Sequence, residues 1–129
     1  MKGNTFDTLN WIAQVIYDKK GSNIMALDVH GLSSITDYLL IAEGNVGRHV
    51  MSIARGIIKE MEENGGPPLL HVEGLQSGDW IVLDYGEIMV HLFMPGFRER
   101  YSLERLWADS KIVDLELLLD RNLGSSGPS

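Results

Sequence analysis

Gly78-Asp79-Trp80-Ile81-Val82-Leu83-Asp84-Tyr85-Gly86-Glu87-Ile88-Met89-Val90-His91-Leu92-Phe93 sets two apolar runs on either side of a short break that contains glycine. β-Branched and aromatic residues fill both runs, and glycine supplies the positive φ that tight turns need. The stretch therefore reads as a hairpin pairing Trp80–Asp84 with Ile88–Phe93 across Tyr85-Gly86. Alternation puts Trp80, Val82 and Asp84 on one face and Ile81, Leu83 and Tyr85 on the other. A carboxylate beside an indole marks the first face as at least partly outside. Two readings of the cluster stay open: Trp80 is a core or edge aromatic while Tyr85 closes the turn, or the pair anchors an interface. Trp and Tyr suit an interface because they desolvate a large area at small rotamer cost. In the second reading Asp84, with Glu87 nearby, selects a basic partner.

Outward from the hairpin the pattern alternates helix and strand. Asn4 or Thr5 can cap a helix whose apolar residues Phe6, Leu9, Ile12, Ala13 and Ile16 recur at three and four positions, ending at Gly21. Residues 24–29 and 38–43 are short apolar runs joined by a polar loop, and read as strands. Asn45 is expected to cap a long helix carrying Val46, Val50, Ile53, Ala54, Ile57 and Met61 inward, with Glu60, Glu62 and Glu63 facing water. Asn64-Gly65-Gly66-Pro67-Pro68 stops it. Residues 69–72 form a further strand. Past Phe93 the chain turns at Met94-Pro95-Gly96, makes one or two short helices through Leu103, Leu106 and Trp107, and ends in an amphipathic segment over 112–119. Trp11 and Trp107 both sit among apolar neighbours at helical spacing and read as core. The sum is an α/β single domain over 1–123: roughly five strands in a mixed sheet flanked by helices. Residues 124–129, Gly-Ser-Ser-Gly-Pro-Ser, form a flexible low-complexity tail with the composition of a cloning remnant.

Composition narrows the function. The chain has 129 residues, 44% of them hydrophobic, enough for an ordinary core. Eighteen acidic against eleven basic residues give a formal net charge of -7, a field that repels phosphate backbones and attracts a basic protein surface. No direct, sequence-specific nucleic-acid contact is expected. Cysteine is absent, which removes disulfides, thiol nucleophiles and thiolate metal sites. No apolar run reaches the ~20 residues of a membrane-spanning helix, and no signal peptide is legible, so a cytoplasmic location without a membrane partner is expected.

A search for catalytic constellations finds fragments. Gly21-Ser22 ahead of Asp28-Val29-His30 resembles the Gly-Ser turn and paired strand carboxylates of nucleotidyltransferases, yet histidine stands where the second carboxylate belongs. His30, His49, His71 and His91 lie on separate elements without zinc-binding spacing; His71 and Glu73 share a strand face, and two ligands do not make a site. Neither a nucleophile elbow nor a phosphate loop occurs. Asp114 and Glu116, two apart in a segment read as helical, point away from each other. Catalytic residues, metal and cofactor are all expected to be absent.

Thr36-Asp37-Tyr38-Leu39-Leu40-Ile41-Ala42-Glu43-Gly44, Gly78-Asp79-Trp80, Asp84-Tyr85-Gly86-Glu87, His91, Phe93, Arg98, Tyr101, Leu103-Glu104-Arg105-Leu106-Trp107 and Asp109 together resemble the ribosomal silencing factor, or Iojap-like, family. The resemblance implies a nucleotidyltransferase-like fold without the catalytic carboxylates, and a non-enzymatic function. Members bind the large ribosomal subunit through its fourteenth universal protein, block joining of the small subunit, and tend to be homodimers when free. Carried over by position, Trp80, Asp84 and Tyr85 form the docking core, and Glu87 and His91 support it. Glu87 departs from a more usual aspartate, Met94-Pro95-Gly96-Phe97 from a more polar stretch, and 112–119 is additional. The rival readings are a residual nucleotidyl or phosphoryl transferase using Asp28, Asp37 or Asp84 with Mg²⁺, and a dimeric scaffold with no ribosomal role.

Overall fold

The computed structural model describes residues 4–96 and 110–119. Their elements run α1 (Thr5–Asp18), β1 (Ser22–Asp28), β2 (Tyr38–Glu43), α2 (Gly47–Glu63), β3 (His71–Glu73), β4 (Trp80–Asp84), β5 (Ile88–Phe93) and β6 (Lys111–Val113). Six strands form one mixed sheet in the order β3-β4-β5-β2-β1-β6. β2 and β5 pair in parallel at its centre, and every other pairing is antiparallel. A parallel central pair is covered on both faces, which is why Leu39-Leu40-Ile41-Ala42 is a continuous apolar run with all four residues buried.

α1 and α2 lie on one face of the sheet. Leu9, Ile12, Ala13 and Ile16 of α1 and Val50, Ile53, Ala54, Ile57 and Met61 of α2 pack with Ala26, Leu40, Ala42, Ile81, Leu83, Val90 and Leu92 from the strands. Each fully buried Val, Leu, Ile or Met side chain among them contributes roughly 1.5–3 kcal/mol. The opposite face carries a second, smaller cluster, Leu27, Val29, Leu39, Ile41 and Phe93, with Met25, Trp80 and Met89 packed against it.

The termini of the helices differ from expectation in informative ways. Asn4 caps α1 as expected, its side chain accepting from the Asp7 N–H at 2.9 Å. α1 ends at Asp18, and the left-handed residue that closes it is Lys20 (φ +71°), not a glycine. The Gly21 N–H reaches back to the Ile16 carbonyl at 2.8 Å and the Lys20 N–H to Tyr17 at 2.9 Å, completing the C-terminal hydrogen-bond pair. Asn45 does not cap α2. Val46 holds the N-cap position without a side-chain bond, and the Asn45 N–H instead donates to His49 Nδ1 at 2.8 Å.

Two further expectations are overturned. Trp11 is 39% exposed rather than core, because it flanks the buried stripe of α1 instead of lying within it. Residues 112–119 are not helical: they begin in the edge strand β6, which pairs with β1, and continue as extended chain, so the five expected strands become six. The short helices expected around Leu103 and Trp107, and the tail, lie outside the described residues. No helix among the described residues is long and apolar enough to cross a membrane.

Candidate functional site

The hairpin aligns Trp80 with Phe93, Val82 with His91 and Asp84 with Met89, all on the sheet face opposite the helices. β3 extends this face, with His71 opposite Asp84 and Glu73 opposite Val82. β4 alternates between buried and half-buried residues, as expected of a strand packed on one side only. Gly86 (φ +88°) opens the turn, and its N–H donates to Asp84 Oδ1 at 2.8 Å, so the carboxylate is fixed by the turn it precedes.

Trp80 is held from two sides. Its ring stacks on Phe93 with centroids 5.1 Å apart, and its indole N–H donates to His91 Nδ1 at 3.0 Å. An indole nitrogen only donates, so Nδ1 is the acceptor and the neutral His91 ring carries its proton on Nε2. His91 is 9% exposed, and burial pushes its pKa down to about 4. It is therefore neutral near pH 7, and its role on this face is to orient the indole.

Tyr85 corrects the expected docking core. It is 5% exposed, on the helix face with Ile81 and Leu83, and belongs to the main cluster. Its hydroxyl is buried without a hydrogen-bond partner among the described residues, and burial, then the Glu62 carboxylate, push its pKa up to about 12. The reason is parity: Tyr85 is an odd number of residues from both Trp80 and Asp84, so it projects through the opposite side of the sheet. Trp80 and Asp84 are brought together; Tyr85 is not displayed with them. Glu87 is exposed at the turn, where the Thr5 hydroxyl donates to its Oε1 at 2.7 Å. Sequence reasoning named Val82 on this face but passed over Met89 and His71; strand register was the signal that finds them.

The acidic and histidine fragments resolve into local pairs. His30 Nδ1 lies 2.6 Å from Asp28 Oδ1 and its Nε2 3.4 Å from Asp37 Oδ2. The hydrogen bond to Asp28 raises the His30 pKa, with lesser contributions from neighbouring carboxylates, and in turn lowers that of Asp28. His71 Nε2 pairs with Glu73 Oε2 at 2.8 Å on an exposed strand. Among the described residues no group of three or more His, Asp or Glu side chains is placed to hold a metal ion.

Comparison with known proteins agrees on one family. Residues 3–126 match the family described as ribosomal silencing factor during starvation. The chain is 39% identical over 99 residues to ribosomal silencing factor RsfS of Bacillus subtilis, covering 77% of this chain and 83% of that protein. It is 37% identical over 100 residues to the protein of the same name from Haemophilus influenzae, covering 78% and 97%. It is 28% identical over 107 residues to mouse mitochondrial assembly of ribosomal large subunit protein 1, covering 81% of this chain and 46% of that one. The crystal structure of a Chromobacterium violaceum protein superposes with a TM-score of 0.79 at 26% identity, covering 92% of this chain and 98% of that one. One from Bacillus halodurans does so with a TM-score of 0.73 at 33% identity, covering 84% and 99%. With its mixed six-stranded sheet and its match along nearly the whole sequence, the chain belongs to the ribosomal silencing factor family.

Proposed function

We propose that this protein silences translation as a steric wedge: it docks on the large ribosomal subunit, through that subunit's fourteenth universal protein, and keeps the small subunit from joining. The observation that supports this most is the half-buried pair Trp80 and Asp84 on one sheet face, the indole fixed by Phe93 and His91 and the carboxylate by Gly86. Groups fixed before binding lose little conformational entropy on docking, and an aromatic anchor beside an acid suits a basic protein surface. The net charge of -7 favours encounter with such a surface and opposes direct docking on RNA.

In this reading Trp80 is the anchor, Asp84 and Glu87 select positive charge, His91 sets the indole, and Tyr85 supports the turn from beneath. No turnover is involved, and neither cofactor nor metal takes part. The free protein is a cytoplasmic homodimer that must present this face to dock. Cosedimentation with purified large subunits tests the assignment. Trp80→Ala and Asp84→Lys should each weaken binding by tenfold or more while circular dichroism stays native, and the wild-type protein should reduce the yield of joined ribosomes. Undiminished binding of both variants would remove the site from this face.

A further inference from the structure

The helix side of the molecule carries a device that subunit docking does not use. Asn10 and Gln14, four apart on α1, each grip the backbone of the extended segment after β6 with both ends of a primary amide. Asn10 Nδ2–H donates to the Glu116 carbonyl at 2.7 Å, and its Oδ1 accepts from the Glu116 N–H at 2.6 Å. Gln14 does the same with Leu118 at 3.0 and 2.6 Å. Four helical residues advance ~6 Å and two extended residues ~6.6 Å, so the two rungs stay in step. Val113, Leu115 and Leu117 turn inward onto the main cluster, which leaves Glu116 and the 81% exposed Leu118 pointing out.

Beside this segment opens a cavity of about 640 Å³, between α1 and the end of α2. Among the described residues, Trp11 and Val15 line it together with Leu118, and its rim carries Asp7, Asp18, Glu60 and Glu116 against one cation, Lys19. An exposed indole ringed by four carboxylates is a site for a cation that also has an apolar or planar body: a guanidinium can lie on the ring while its N–H groups reach the acids. Phosphate is repelled by the same rim.

We propose that this groove docks an arginine-rich protein segment, with one arginine seated on Trp11. The site lies across the sheet from Trp80 and Asp84, so it is a second contact, independent of the wedge reading.

Fluorescence anisotropy of the full chain with a labelled dodecapeptide of alternating arginine and leucine tests it, with the glutamate-leucine counterpart as control. The arginine peptide should bind and the glutamate peptide should not. Trp11→Ala and Asp18→Lys should each weaken binding at least tenfold, whereas Glu63→Lys, outside the groove, should leave it within twofold. Both groove positions are exposed; should Trp11→Ala fail to fold, Asp18→Lys decides. The proposal is overturned if the wild-type chain does not bind the arginine peptide, or if Asp18→Lys is without effect. It is equally overturned if Glu63→Lys weakens binding as much, which would mean bulk charge. Sedimentation of the free chain adds one more refuting result: loss of a dimer in Trp11→Ala with peptide binding intact would give the groove to a second copy.

Discussion

Acidification should expose the cost of burying His91. The folded ring has a pKa of about 4 against an ordinary 6.5, because burial disfavours its charged form. As pH falls, the unfolded chain takes up the proton first. His91 therefore costs nothing above pH 6.5 and destabilises progressively from there toward pH 4. The gap of about 2.5 units corresponds to roughly 3 kcal/mol in full, and to about 2 kcal/mol by pH 5. His91→Asn cannot titrate, yet its amide oxygen can still accept from the indole, so it isolates the effect. Urea unfolding of both proteins between pH 7.5 and 4.5 gives two stability curves, and global acid effects cancel in their difference. That difference should move by about 2 kcal/mol in favour of the variant between pH 7 and pH 5. Parallel curves would refute the reasoning, since His91 would then be protonated in the fold and the Trp80 contact would not exist as described.

His30 should show the opposite sign. Its pKa is raised, chiefly by the hydrogen bond to Asp28, so its contribution is present in acid and lost as pH rises through the folded value; NMR titration should place it above 6.5, and Asp28→Asn should bring it down. Gly78→Ala should destabilise by more than about 2 kcal/mol in denaturant unfolding, because a Cβ there would stand 2.3 Å from the Gly47 carbonyl oxygen at a φ of +75°; a loss within error would contradict the close approach of hairpin and α2. Asn10→Ala and Gln14→Ala each remove two hydrogen bonds to the extended segment, at about 1 kcal/mol per bond, so the Glu116 and Leu118 amides should lose hydrogen-exchange protection; amides as protected as in the wild type would disprove the ladder.

The elements that the sequence by itself determined are those whose signal is periodic and local. The stripes of α1 and α2, the continuous apolar run of β2 and the alternating run of β4 each announce which side is buried, and hydrophobic burial enforces the period. Parity along β4 also fixed that Trp80 and Asp84 share a face and that Tyr85 does not. The interface reading of the Trp80 and Tyr85 pair, and then the resemblance, put Tyr85 into the docking core against that parity, and tertiary packing returned it to the interior with the main cluster.

Only the tertiary structure decided the rest. The acid-bearing segment 112–119 has apolar residues at spacings compatible with a helix, but the open edge of β1 offers ladder hydrogen bonds and α1 offers two amide side chains. Those long-range partners make the extended form win. Trp11 looked internal because its neighbours in the chain are, whereas a helix face is selected by its partner across the core, which no short window contains. His91 entered the site only through the resemblance, and its place on the face and its neutrality were not legible, because both depend on what surrounds a group in space, and that is set only once β4 and β5 have paired.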